Sequence, residues 1–263
     1  MADMEDEKLV GADRVLATLV EVAAHPEGVS LDDLATILRS SKPTIHRALV
    51  SLRRVGLADQ TGRGQYVLGD EFVRLAFRYH EARPDTARIE PVLRALSAHF
   101  GETTHYAVLD GHDVVYRAKA DPELGAVRLT SVVGGRNPAT RTAVGKMLLS
   151  GLIETSGQLE SWLGDQRLEP RTPNSIMSLG DLFSDLEATR RRGYAIDDQE
   201  SEVGVNCVAL PVYLNGPSTP TGAVSVSGLT FRCPLSDLED SLPAFVEIME
   251  RHLGPDSTGA LGY

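Results

Sequence analysis

Between positions 41 and 54 the chain sets Lys42, Thr44, His46, Arg47, Ser51 and Arg54 on or near one side of a helix. Ile45, Leu49 and Leu52 recur every three or four residues and claim the opposite side for a core. Short polar and cationic side chains in that arrangement can donate to phosphate oxygens and to base edges in a major groove. The same residues also fit a helical hairpin with a solvated basic face, and the neighbouring segments decide between the two readings.

The elements that must hold these residues follow from capping signals. Ser30 with Asp33 three residues on starts a short helix, the chain breaks at Ser40–Ser41, and Ser41 with Pro43 in the first turn starts the second helix. Upstream, Val15, Leu16, Leu19, Val20 and Ala23 form a helical stripe that Pro26 and Gly28 end. Downstream, residues 56–60 and 65–68 read as two short strands joined by Thr61-Gly62-Arg63-Gly64, with Arg63 at the tip of the turn, where it can reach a phosphate backbone or minor groove. A helix, a helix-turn-helix and a hairpin make a winged arrangement. Residues 70–83 then carry Phe72, Leu75, Ala76 and Tyr79 at helical spacing up to Pro84, a linker helix whose stripe suits docking or dimerisation.

Charge is segregated in a way that favours selective over generic contact with polyanions. The 263 residues carry a formal net charge of -11. Residues 1–83 hold 11 Lys/Arg and 13 Asp/Glu, whereas residues 84–263 hold 15 and 24. Within Arg39–Arg63 six basic residues face one acidic residue, Asp59, so a basic stripe lies on an otherwise repulsive protein. No apolar run approaches a membrane span, and the amino end, Met-Ala-Asp-Met-Glu-Asp-Glu, is acidic where a secretory signal would be basic, so a cytoplasmic protein with no membrane partner is expected. Cys207 and Cys233 are too few for a disulfide framework, and the histidines show no metal-ligand spacing, so neither a metal nor a cofactor is expected.

The second half alternates differently. Residues 104–109 and 113–117 flank Asp110-Gly111-His112 as a hairpin, 127–133 reads as a third strand, and strands return at 205–214 and 223–229. Helical patterns lie at 91–100, 142–152, 179–192 and 236–253, which makes an α+β domain with helices over a sheet. Ser225 and Ser227 are two apart on a strand and so share a face, where buried hydroxyls need partners; a bound carboxylate or a backbone carbonyl would serve. Ser225-Val226-Ser227-Gly228 lacks the glycine of a nucleophile elbow. The alternative enzymatic reading, a small-molecule sensor or enzyme with Cys207 as nucleophile and a distant base such as His105, needs a proximity that the sequence does not supply.

Lys42-Pro43-Thr44-Ile45-His46-Arg47-Ala48-Leu49 resembles the recognition helix of the IclR family of bacterial transcription regulators. Residues 193–200, 204–211 and 223–228 resemble the family's carboxy-terminal half, so that the likeness runs over roughly residues 12–252. The resemblance implies a winged helix-turn-helix domain (1–69), a linker helix (70–84) and a GAF-like effector-binding and oligomerisation domain (85–263). It implies a regulator, not an enzyme, acting as a homodimer or tetramer on double-stranded operator DNA through Ser41, Lys42, Thr44, His46, Arg47, Ser51, Arg54 and Arg63. By the same likeness Thr142, Ala143, Val144, Asp197, Cys207, Ser225 and Ser227 line an effector pocket. The chain departs from the family pattern at Thr140-Arg141, where a histidine and a small residue are common. Arg141, next to a helix start, is expected either to help select an anionic, carboxylate effector or to point to solvent or pair with a neighbouring carboxylate.

Overall fold

A computed structural model describes residues 11–62, 64–81, 84–122, 129–216, 219–255 and 257–258, in two units, Met1–Arg83 and Pro84–Tyr263. The first unit runs α1 (Gly11–Ala24), β1 (Val29–Ser30), α2 (Leu31–Ile37), α3 (Lys42–Arg54), β2 (Ala58–Gln60), β3 (Gln65–Leu68) and α4 (Asp70–Glu81). Its strands pair antiparallel in the order β1-β3-β2. Val22, Val29, Leu34, Ile45, Leu49 and Tyr66 close the core between them.

Local chemistry fixes the helix-turn-helix. The Ser30 hydroxyl accepts from the Asp33 amide at 3.1 Å and donates to the Asp33 carboxylate at 2.6 Å, which satisfies an otherwise orphaned amide at the start of α2. Arg39 takes a left-handed φ of 46° past the end of α2, while the Ser40 amide reaches back to the Ala35 carbonyl at 2.9 Å. Ser41 occupies the cap position of α3 but does not cap it as expected; its hydroxyl bonds that of Thr44 at 2.7 Å instead. Gly56, at φ 75°, closes α3 with the Leu57 amide on the Leu52 carbonyl, so β2 begins at Ala58 and not at position 56.

The stripe expected on α1 is turned. Leu16, Val20 and Ala23 are exposed, Val15 and Leu19 are half-buried, and the buried positions are Thr18 and Val22. Thr18 is tolerated inside because its hydroxyl donates to the Arg14 carbonyl at 2.8 Å within the helix. An apolar-only pattern passes over such a residue.

The second unit runs α5 (Pro84–Phe100), β4 (Thr103–Asp110), β5 (Asp113–Ala120), β6 (Arg136–Pro138), α6 (Ala143–Leu152), α7 (Ser156–Leu163), α8 (Leu179–Arg192), β7 (Ala195–Asp198), β8 (Val205–Val212), β9 (Gly222–Leu229), α9 (Leu235–Asp240) and α10 (Leu242–Leu253). It is an α+β domain around one antiparallel sheet, ordered β6-β5-β4-β9-β8-β7. One sheet face carries Tyr106, Val208, Leu210, Val224 and Val226 against α5, α9 and α10. The other carries smaller residues, Ala107, Ala195, Ala209 and Ala223, beneath α6, α7 and α8.

Three expectations are corrected here. Residues 127–128 of the expected third strand lie outside the described residues, and 129–133 form no strand; the Lys119 ammonium takes the carbonyls of Leu129 (2.8 Å) and Ser131 (2.9 Å), and β6 at 136–138 pairs with β5 instead. The helix expected from Pro91 starts at Pro84 and runs through Pro91, because burial of Ile89, Val92, Leu93 and Leu96 outweighs one missing amide donor. The helix expected over 236–253 is broken at Ser241, where Pro243 follows in the first turn of α10.

Candidate nucleic-acid interface and effector site

On α3, Ile45, Ala48, Leu49 and Leu52 are buried at 0–4% exposure, so helical geometry turns Pro43, Arg47, Val50 and Arg54 outward. His46, Arg47 and Arg54 are exposed, and among the described residues no carboxylate pairs with Arg47 or Arg54. Lys42 holds Asp32 of α2 at 2.8 Å with both side chains largely in water, an exchangeable contact of small energetic value. Thr44 and Ser51 are half-buried and already engaged, Thr44 with Ser41 and Ser51 with the Arg47 carbonyl at 3.1 Å. Arg63 lies outside the described residues. Val50, not singled out from the sequence, sits exposed between Arg47 and Arg54, where an apolar side chain can meet a thymine methyl.

Strand register assembles the second site. Asp197, Cys207 and Ser227 face one another across β7, β8 and β9, and Ser225 occupies the next position on that face, opposite Ala209 and His105. The face is that of the small-residue side, against which α6 rests. The Thr142 hydroxyl caps α6 by accepting from the Gly145 amide at 3.1 Å, with Ala143 and Val144 buried behind it. Gly145 is required: a Cβ there would lie 2.2 Å from the Ala139 carbonyl oxygen. These contacts bring the amino end of α6, with its partial positive charge, to the sheet.

Buried charge fixes the turn after β7. The Asp197 carboxylate accepts from the Glu200 amide at 2.7 Å and the Ser201 amide at 3.3 Å, while burial pushes its pKa up. Lys146 of α6, 1% exposed, is ion-paired with Glu200 and with Asp185 at 2.9 Å. Burial raises the Glu200 carboxyl to about 7 even with Lys146 pulling it down. Ser201 then donates its hydroxyl to the Arg141 carbonyl at 2.8 Å. Arg141 is half-buried, and its Nε is enclosed without a hydrogen-bond partner.

Across this face the Ser225 residue is 3% exposed, and its hydroxyl has no hydrogen-bond partner among the described residues. The oxygen is not among the atoms sealed from solvent, so water or a ligand's polar group can meet it. Burial, and then the neighbouring Asp197 carboxylate, push the Cys207 thiol well up, with a hydrogen bond to Ser227 opposing. A thiol held protonated is a poor nucleophile. His105 turns its Nε2 to the Ser131 hydroxyl at 2.7 Å, its ring 4.8 Å from that of Tyr116, and shows no hydrogen bond to Cys207. The nucleophile–base pair is therefore not assembled.

His105, weighed from the sequence only as a distant base for Cys207, stands on this face beside Ser131 and Tyr116, the Tyr116 hydroxyl accepting from Asn137 at 3.4 Å; Ser131, Tyr116 and Asn137 were not found from the sequence. The β4–β9 register places His105 opposite Ser225, and the β4–β5 and β5–β6 registers bring in Tyr116 and Asn137; register is not written in any one strand alone. A cleft of about 410 Å³ lined by Glu160, Leu163, Arg167, Leu168, Met177 and Leu179 holds none of the expected residues. Among the described residues no helix is long and apolar enough to cross a membrane, and no three His, Cys, Asp or Glu side chains are grouped as metal ligands.

Residues 83–250 match the family model for the bacterial transcriptional regulator IclR C-terminal domain, and residues 11–62 match that for the IclR helix-turn-helix domain. The chain is 34% identical over 236 residues to the HTH-type transcriptional regulator XynR of Escherichia coli, covering 89% of this chain and 90% of that one. The crystal structure of Thermotoga maritima IclR superposes with a TM-score of 0.72 at 27% identity, over 92% of this chain and 98% of the other. The inducer-binding domain of the PobR transcription factor from Acinetobacter, solved as a double mutant in complex with 3-hydroxybenzoic acid, matches with a TM-score of 0.57 at 28% identity, over 63% of this chain and 95% of that domain.

Proposed function

We propose, from the premise that the chain belongs to the IclR family of bacterial transcription regulators, that α3 enters the major groove of an operator and that a small carboxylate held on the small-residue face of the sheet governs this binding. The observation that carries the reading is the outward face of α3, where Arg47 and Arg54 stand exposed around the apolar Val50 with no carboxylate partner among the described residues. Arg47 and His46 address base edges, while Ser41, Lys42, Thr44, Ser51 and Arg54 position the helix on phosphates, with Arg63 reaching the backbone from the wing. Two copies of α3 in a dimer read a pseudo-palindrome in successive grooves. Exposed apolar residues on α4, Val73, Leu75 and Phe77, supply surface for such pairing, within a dimer or tetramer in the cytoplasm.

The acid sits where the α6 amides of Thr142, Ala143 and Val144 meet Ser225, Ser227, Cys207 and Asp197, with Arg141 at its edge. The Ser225 hydroxyl, which makes no hydrogen bond among the described residues, and the amino end of α6 support an anion there, as does the hydroxybenzoic acid bound by the PobR domain. Fluorescence anisotropy of the full chain on DNA from just upstream of its own gene, at two salt concentrations and with candidate acids added, tests the proposal. Salt-sensitive binding that survives competitor DNA and shifts with one acid is expected. Binding that competitor DNA abolishes contradicts the operator half, and binding blind to every acid contradicts the effector half.

A further inference from the structure

The segment that leads into β6 is held over the sheet by side chains, not by burial or strand pairing. Val132 and Val133 are exposed, at 64% and 55%, and residues 129–133 form no strand. Lys119 of β5, its side chain 12% exposed, spends the three donors of its ammonium group close by: on the Leu129 carbonyl at 2.8 Å, the Ser131 carbonyl at 2.9 Å and the Asp121 carboxylate at 3.1 Å. His105 of β4 adds the bond between its Nε2 and the Ser131 hydroxyl at 2.7 Å. A lysine and a histidine are thus withdrawn from water to fix one short strap of chain.

Register puts this strap at the edge of the proposed effector site. His105 pairs with Lys119 on one side and with Ser225 on the other, so the three side chains share the sheet face that carries Ser227, Cys207 and Asp197. A bulge extends the set. Arg117 is the extra residue of β5, between Tyr116 opposite Ala107 and Ala118 opposite Tyr106, so Tyr116 and Lys119 point the same way although they are three positions apart. The Tyr116 ring then lies 4.8 Å from that of His105. From the strap the chain passes through β6 to the Thr142 cap of α6, so one continuous segment supplies both the strap and the helix end.

The two ends differ in chemistry. At the strap Lys119 is committed to three acceptors, and the Tyr116 hydroxyl accepts from Asn137. Burial, with the Lys119 charge second, pushes His105 down to about 3 and keeps it neutral, so this end offers no free charge. The amino end of α6 carries partial positive charge.

We infer that residues 129–133 are the wall against which the uncharged end of the effector stops, and that Lys119 and His105, which hold this wall, set the longest effector accepted. The effector is then a monoacid, its carboxylate at α6 and its uncharged body against the rings of His105 and Tyr116. The inference rests on the effector reading above and deepens it. Lys119 and His105 are positioning residues in it.

Isothermal titration of the full-length protein with two graded series tests this: acetate, butyrate, caproate and caprylate, and benzoate, phenylacetate, 3-phenylpropionate and 4-phenylbutyrate. In the parent, affinity is expected to rise about fourfold per added methylene up to one length and to fall beyond it. Lys119→Met fills a similar volume but gives the strap carbonyls no donor. There the first acid that the parent rejects should bind about tenfold tighter or more, the worth of two methylenes, while shorter acids keep their affinity. A general loss of structure would weaken short and long acids alike. Hydrogen exchange in the unaltered protein is a second readout that needs no variant: the longest accepted acid should slow the amides of residues 129–133, and the shortest should not. Affinity that rises without a limit, a limit that Lys119→Met leaves in place, or exchange at 129–133 that no bound acid changes overturns the wall and leaves the acid effector standing. If no acid of either series binds, both readings fall.

Discussion

His105 shows how a single buried side chain reports on its site. Burial, aided by the charge of Lys119, pushes its imidazole down to about 3 from an ordinary value near 6.5. The folded protein therefore keeps it neutral where the unfolded chain would protonate it. Its contribution to stability is complete above about pH 6.5 and is lost as the pH falls from there toward 3. In an NMR titration the His105 ring signals should stay flat from pH 8 to 5; a midpoint above 6 would contradict its placement against Tyr116 and Ser131. At this scale the sequence was readable where neighbours along one helix decide the outcome: Ile45, Leu49 and Leu52 are buried as their spacing requires. It was unreadable where the deciding neighbour comes from another strand, as Ser225 does for His105, or where a polar residue such as Thr18 satisfies its own hydroxyl and moves inside.

Elements obey the same division. Helix α8 lies at Leu179–Arg192 as its pattern predicts, since a cap at Ser178, a left-handed Gly193 and an amphipathic stripe all agree. Helix α7 was missed although Thr155 and Gln158 form a capping box, because its 8 residues carry too little periodicity to be noticed. Of the strand expected over 127–133, the described residues 129–133 form none, for a reason of charge more than propensity: the Leu129 and Ser131 carbonyls serve the Lys119 ammonium. The element on which the proposed effector site depends most is α6, whose start abuts Ala139 so closely that Gly145→Ala would put a Cβ 2.2 Å from backbone oxygen. Backbone cannot yield as a flexible side chain does, so that substitution should destabilise the carboxy-terminal unit by about 3 kcal/mol or more. A two-step thermal melt by calorimetry would show the loss in one transition; an unchanged melt would mean that α6 is not seated as described.

The whole chain divides its charge as it divides its labour. Residues 84–263 hold 15 Lys/Arg against 24 Asp/Glu and repel a polyanion, so the basic stretch within Arg39–Arg63 is left as the attractive surface for DNA. That an IclR-family regulator was recognisable from its sequence follows from the local nature of the signals: the helix-turn-helix caps and the Lys42–Leu49 pattern are contiguous, whereas the proposed effector site draws on α6, β7, β8 and β9 and was suggested only by likeness to the family. The central claim is that the exposed side of α3 reads the operator. It is tested most directly by the affinity of Arg47→Ala for operator DNA at fixed salt, with a matched melting temperature showing that an exposed residue was removed without harm to the fold. The account predicts specific binding weaker by about ten- to a hundredfold, the worth of one bidentate base contact; an Arg47→Ala protein that holds its operator as tightly as the parent would contradict it.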